Sequence, residues 1–228
     1  MAAHQTVLKQ EAVDALVQDP DGVFLDCTFG RGGHSRLILE RISARGRLIA
    51  IDKDLAAISY AEEHFANEPR FELVHGSFKD VDKILAERGL EKVSGVLLDL
   101  GVSSPQLDEA GRGFSFRFEG PLDMRMDQSA GPTAADWLNE AKISDIAHVI
   151  KRFGEEKFAR RIAKGIVDAR EIAPLENTFD LVRIVEAAIP MRDQRESKKH
   201  PATKTFQAIR IFLNEELKDL EDCLNVIV

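Results

Sequence analysis

Four apolar runs, alternating with segments of helical period, constrain this chain more than any other feature. "GVFLDCTF" (22–29), "GRLIAID" (46–52), "RFELVHG" (70–76) and "SGVLLDLGV" (94–102) are apolar nearly throughout, not at every second position. Strands of that kind are covered on both faces, which is the signature of a parallel sheet with helices above and below. The intervening segments supply the helices. "HSRLILERISA" (34–44) repeats apolar residues at helical spacing through Leu37, Ile38 and Ile42. "DLAAISYAEEHFA" (54–66) opens on Asp54, a good N-cap, and "VDKILAERG" (81–89) stops on Gly89. The expected fold class is α/β, a doubly wound, Rossmann-like sheet.

After Val102 the pattern breaks. Residues 103–126 read as a loop rich in Gly, Pro, Phe, Arg and Asp, and connections of that length are usually functional. Helices follow at about 133–141, 143–153, 155–171 and 178–189, the first announced by a Thr133–Asp136 capping signal. A polar stretch covers 192–204, a long amphipathic helix runs from about Thr205 to Cys223, and the closing "LNVIV" reads as the start of a strand. The expected domains are 1–105 with 205–228 for the sheet, and 106–204 for an all-helical insertion.

Composition narrows the function classes. With 228 residues, 44% of them hydrophobic, the chain can bury a substantial core. A net charge of −8 excludes a general polycation, so any nucleic-acid contact must use a local basic face. Cys27 and Cys223 are far apart and form no CxxC pair, so neither a disulfide framework nor a metal site is expected. No apolar run approaches the roughly 18 residues that span a bilayer, and the opening residues hold no signal-peptide core. A cytoplasmic, soluble chain with no membrane partner is expected.

In an open parallel sheet the ligand sits at the carboxyl ends of the strands. The four runs end there in Asp26 with "GRGG" (30–33), in Asp52, in "HGSF" (75–78), and in Asp99 with "GVSSPQ" (101–106). The glycine turn brings backbone close to a ligand, and Asp52, about twenty residues on, stands where a carboxylate takes both ribose hydroxyls. A dinucleotide fingerprint would want glycine at 35, where Ser35 stands. Three carboxylates, Asp26, Asp52 and Asp99, around one crevice suit a cationic cofactor better than a pyrophosphate. For Asp26 a plain turn or cap role stays open.

The stretches "TFGRGGHS", "DLGVSSPQ" (99–106), "GRGFSFRFEGPLDMRMD" (111–127) and "HPATKTFQAIRIFLNEEL" (200–217) closely resemble the bacterial MraW/RsmH-type family from His4 to the end. Those are S-adenosylmethionine-dependent methyltransferases acting on the exocyclic N4 of a cytidine in the decoding centre of 16S ribosomal RNA. The resemblance implies that S-adenosylmethionine is held by Gly32, Gly33, His34, Asp52, Phe78, Asp99 and Gln106. It implies that 106–204 is the RNA-substrate domain, and that the partner is 16S rRNA in an assembled or nearly assembled small subunit. The enzyme is expected as a monomer or homodimer. Two departures stand out. "SSPQ" lacks the tandem proline and aromatic of a D-P-P-Y motif. The chain also stops where the family continues into further strands and a "SFHSLEDR"-like segment, so truncated C-terminal strands are expected.

Cytosine N4 is a poor nucleophile, so the site must accept hydrogen bonds from the amino group and align it with the methyl. Backbone carbonyls near Ser103, Ser104 and Pro105 are the catalytic candidates; no covalent cysteine is needed. Phe114, Phe116 or Phe118 could stack on a base, unless these phenylalanines simply pack the loop, and Arg112, Arg117 and Arg125 could meet phosphates. Asp123 could orient Arg125 or contact the base. Lys157, Arg160, Arg161 and Lys164, with "RESKKHPATK" (195–204), offer a further RNA face. Rival readings are a methyltransferase with another acceptor, a nicotinamide dehydrogenase, and an RNA-binding assembly factor without turnover.

Overall fold

The structure, a computed structural model, describes residues 8–227; residues 1–7, which include His4, and Val228 lie outside the described residues. The chain forms two compact units, Met1–Ser103 with Leu217–Val228, and Ser104–Glu216.

The first unit carries the sheet. Strands β1 (Val23–Asp26), β2 (Arg47–Asp52), β3 (Phe71–His75) and β4 (Gly95–Leu97) are all parallel, in the order β3-β2-β1-β4. Helices α1 (Lys9–Leu16), α2 (Gly33–Arg41), α3 (Leu55–His64) and α4 (Val81–Ala86) surround it. Asp54 caps α3 as expected, accepting the Ala56 amide at 2.9 Å. The fully apolar runs are explained by the pleat, which sends alternate side chains to opposite layers. Phe24, Leu48 and Ala50 pack with Val13, Leu37, Ile38, Ala57, Ala61 and Phe65 on one face. Leu25, Ile49 and Ile51 pack with Val81 and Ile84 on the other.

The second unit is helical: α5 (Ser104–Asp108), α6 (Ala134–Glu140), α7 (Ile143–Gly154), α8 (Ala159–Arg170), α9 (Thr178–Ala188), α10 (Met191–Glu196) and α11 (Thr203–Leu213). α7 packs between α8 and α11, and α9 packs on α8. Leu138, Ile146, Ile150, Ile162, Ile166, Leu181 and Ile209 are fully buried. The Thr133–Asp136 capping box forms as read. α10 occupies part of the stretch read as merely polar. α11, which the sequence attaches to the sheet, groups with this unit because its apolar face lies on α7.

The chain returns to the first unit through α12 (Glu216–Ile227), whose Cys223 joins the layer of Leu25 and Ile51. Two readings are corrected here. The long helix expected from Thr205 to Cys223 is interrupted at Glu215, which takes φ +52° between α11 and α12. The "LNVIV" run is helical as far as Ile227 instead of opening a strand, because Cys223 and Ile227 pack against the sheet at helical spacing.

Candidate active site

The glycine turn follows β1 directly. Gly30 and Gly32 both take left-handed backbone, φ +57° and +69°. At Gly32 a Cβ would stand 2.6 Å from Phe65 Cζ and 2.9 Å from Phe29 Cε2, so packing as well as conformation demands glycine. Phe29 and Phe65 meet edge to face at 5.3 Å beneath it. α2 begins at Gly33, which is half-buried, and the amides of its first turn form the positive helix end. His34 is buried in that first turn, with Nδ1 3.9 Å from Asp99 Oδ2.

The acids gather at the strand ends with unequal roles. Asp52 closes β2, where Oδ2 accepts the Gly30 amide at 2.7 Å and Oδ1 accepts the Asp54 amide at 2.9 Å. Burial pushes its pKa up to about 6, against the lowering effect of those two amides, and the nearby charge of Asp26 adds to the rise. Asp99 lies just past β4 with its side chain half exposed, and its amide donates to Thr28 Oγ1 at 2.8 Å. Asp26 is 0% exposed. It accepts the Ser35 hydroxyl at 2.6 Å and the Thr28 amide at 3.2 Å, and burial raises its pKa. Of the three carboxylates expected around the crevice, Asp26 is therefore corrected to an internal tie between β1, its turn and α2.

Thr28 and Ser35 tie these strand-end acids in place, a role that motif reading missed. Ser35 stands out in the sequence only as the residue that spoils a dinucleotide pattern. Its hydroxyl is what turns Asp26 inward. Cys27 is also internal: its hydrogen bond to Cys223 and its burial push its thiol up, as suits a packing residue and not a nucleophile.

The third strand end supplies Phe78, which opens a single 3₁₀ turn (Phe78–Asp80) and packs, half-buried, against the layer of Leu25 and Cys27. Ser77 caps that turn, accepting the Lys79 amide at 3.2 Å. The Gly76 amide donates to the Asp52 carbonyl at 2.9 Å, joining the ends of β2 and β3.

Ser103 ends the first unit along the chain, and Ser104 and Pro105 open α5. The Pro105 carbonyl accepts the Glu109 amide at 2.9 Å at the end of that helix. Gln106 is buried in α5.

The 111–127 loop is folded down firmly. Arg112 is buried and donates to the carbonyls of Arg125 and Met126 at 3.0 and 3.1 Å, and Phe114 is buried with the Arg112 guanidinium over its ring. Both are corrected from RNA contacts to packing residues, since neither reaches the surface. Phe116 is half-buried, stacked on His200 at 4.6 Å and edge-on to Phe206 at 5.7 Å. Arg125 is oriented by Asp123 through bonds of 2.8 and 2.9 Å. Burial would raise the Asp123 pKa, but the Arg125 hydrogen bonds hold it below the usual range. Gly120 passes so close to Ala110 that a Cβ would fall 1.9 Å from its carbonyl oxygen. Arg117 and Phe118 are the aromatic–cation pair of this loop left at the surface, Phe118 at 46% exposure.

On α7–α8 the residues Lys157, Arg160, Arg161 and Lys164 are all exposed, opposite buried Ile162 and Ile166. Lys157 pairs with Asp193 and Lys164 with Asp168. Among the described residues no group of His, Cys, Asp and Glu is placed to hold a metal ion, and no helix is long and apolar enough to cross a membrane.

Comparison with known proteins adds an independent line. The profile of the MraW methylase family matches residues 1–228. Ribosomal RNA small subunit methyltransferase H from Legionella pneumophila strain Corby is 52% identical over 225 residues, 98% of this chain and 72% of that protein. The proteins of the same name from strains Paris and Philadelphia 1 match equally, with the same identity and coverage.

Proposed function

The chain belongs to the MraW methylase family, and from that premise we propose that it methylates the exocyclic N4 of a cytidine in 16S ribosomal RNA, at the decoding centre of the small subunit, using S-adenosylmethionine. The observation that supports this best is the rim of the first unit. Asp52 and Asp99 flank the Gly30–Gly33 turn with negative charge, where a dinucleotide enzyme needs room for a pyrophosphate. The relatives named small-subunit rRNA methyltransferases direct the choice of acceptor.

The residues present fit a cationic nucleoside cofactor. Each Asp52 oxygen accepts one amide and keeps capacity for another donor, which matches a ribose diol. Half-buried Phe78, just past the end of β3, is the proposed contact for an adenine. Gly33 and His34 present first-turn amides of α2. Bound there, S-adenosylmethionine supplies an electrophilic methyl group on its sulfonium. The chain's own work is to accept hydrogen bonds from the target amino group, pulling it out of conjugation with the ring, and to disperse the positive charge that grows on nitrogen. Backbone carbonyls at Ser103 and Ser104, with the exposed Asp99 carboxylate just before them, are the proposed acceptors.

In the second unit the proposed RNA contacts are Arg117 and Phe118, for a phosphate and an unstacked base, and the Arg160–Arg161 face of α8 for phosphates. The net charge of −8 argues that shape and context in an assembled or nearly assembled subunit do much of the recognition, in a cytoplasmic setting.

Mass mapping of 16S rRNA from cells with and without the gene tests the proposal. One cytidine should lose 14 Da, about one methyl in place of hydrogen, when the gene is deleted; an unchanged map overturns it. Side-by-side titration with S-adenosylhomocysteine and NADH separates it from the dehydrogenase reading.

A further inference from the structure

Helix α12 sets one carboxylate behind the rim of the first unit. Asp219 is 0% exposed, and its partners come from much earlier in the chain. Ser77 Oγ donates to Oδ2 at 2.6 Å, and Lys53 Nζ pairs with the same oxygen. Oδ1 makes no hydrogen bond among the described residues and has Lys79 Nζ at 3.8 Å.

Each partner adjoins a rim residue. Lys53 follows Asp52, and Ser77 and Lys79 flank Phe78. The Lys53 carbonyl also lies 3.1 Å from His75 Nε2, so the ends of β2 and β3 are tied to each other and to α12. A carboxylate this buried is retained only with compensating charge, and removing either partner leaves the other unmatched. The ammonium of Lys53 is the charge that matters most here. Left beside Asp52, it would neutralise the rim and repel a cation. Lys53 is also the more enclosed of the two lysines, with its side chain 21% exposed against 36% for Lys79.

We propose that Asp219 is a positioning residue of the cofactor rim: by holding Lys53 and Ser77 it keeps the Lys53 charge off Asp52, and so gives the rim its preference for a positively charged sulfonium donor over the neutral thioether product. This rests on the reading of the rim as an S-adenosylmethionine site. A residue that merely pinned α12 in place would, when replaced, weaken both ligands alike.

Calorimetric titration of the purified protein with S-adenosylmethionine and S-adenosylhomocysteine separates the two. Asp219→Asn keeps an oxygen for Ser77 and removes the charge. It is expected to raise the Kd for S-adenosylmethionine on the order of fivefold while that for S-adenosylhomocysteine moves less than about twofold, and adding Lys53→Met is expected to restore the wild-type ratio. Equal weakening of both ligands, or a ratio that Lys53→Met does not restore, overturns the proposal. Should Asp219→Asn fail to fold, Lys53→Met alone decides: removing that ammonium while Asp219 stays charged behind the rim should shift the ratio further toward S-adenosylmethionine, and an unshifted ratio counts against it. Wild-type protein that binds neither ligand would sink the cofactor reading itself.

Discussion

At the scale of single residues, Asp52 is the group whose chemistry is most exposed to test. Its pKa of about 6 means that the rim loses the Asp52 charge as pH falls through that value. S-adenosylmethionine is therefore expected to bind roughly tenfold more weakly at pH 5 than at pH 7, and Asp52→Asn should bind weakly at both, as titration across that range will show. Folding responds with the opposite sign. A carboxyl whose pKa is raised in the fold contributes stability below its ordinary range, and that contribution is lost as pH rises through 6. Gly32→Ala is expected to cost about 1–3 kcal/mol in denaturant unfolding, because the new methyl meets two phenylalanine rings on left-handed backbone. Both residues were legible in the sequence, since their spacing alone places them at adjacent strand ends. Asp26 and Arg112 were not. Whether a strand-end acid faces ligand or interior depends on Ser35, a helix turn away, and whether a loop arginine faces solvent depends on which carbonyls the loop brings beneath it.

At the scale of elements, local signals carried the reading wherever an end is defined by its own residues. Asp54 and the Thr133–Asp136 box are such cases, and Thr133→Ala should lower stability by about 1 kcal/mol in the same unfolding assay. Where an end is set by a distant partner, the local signals misled. The amphipathic period runs unbroken past residue 213, yet the helix stops because Asn214 turns to the loop. Its side chain donates to the Met124 carbonyl at 2.8 Å and accepts the Met126 amide at 2.7 Å, fixing a buried methionine at φ +60°. Asn214→Ala leaves a buried carbonyl and a partly buried amide unmatched and is expected to cost about 2–4 kcal/mol, with protease cleavage of the 111–127 loop as a second readout. The β-branched "LNVIV" likewise advertises a strand, and helical contacts of α12 with the sheet override it.

For the whole molecule, a net charge of −8 leaves RNA affinity to small cationic areas. Arg160→Ala with Arg161→Ala is expected to weaken binding to small ribosomal subunits and to flatten the dependence of log K on log salt by up to about two, while S-adenosylhomocysteine affinity stays unchanged; filter binding at several salt concentrations measures both. The alternation of the chain between strand and helix was readable from end to end of the sheet because burial on two faces leaves a continuous apolar run. One further property of that sheet was not readable, because it lies in the pairing. Asp26 is level with Ala50 and with Leu97, whereas Asp52 is level with His75. The strands thus finish as a stair with a single step, two residues high, between β1 and β2. The chain leaving β1 climbs it, with the Phe29 amide meeting the Ile51 carbonyl at 3.2 Å before Gly30 reaches Asp52 on the upper tread. Deleting any one residue of Cys27–Phe29 would leave the climb too short, so that a domain with its full helical circular-dichroism signal should emerge unable to grip a nucleoside.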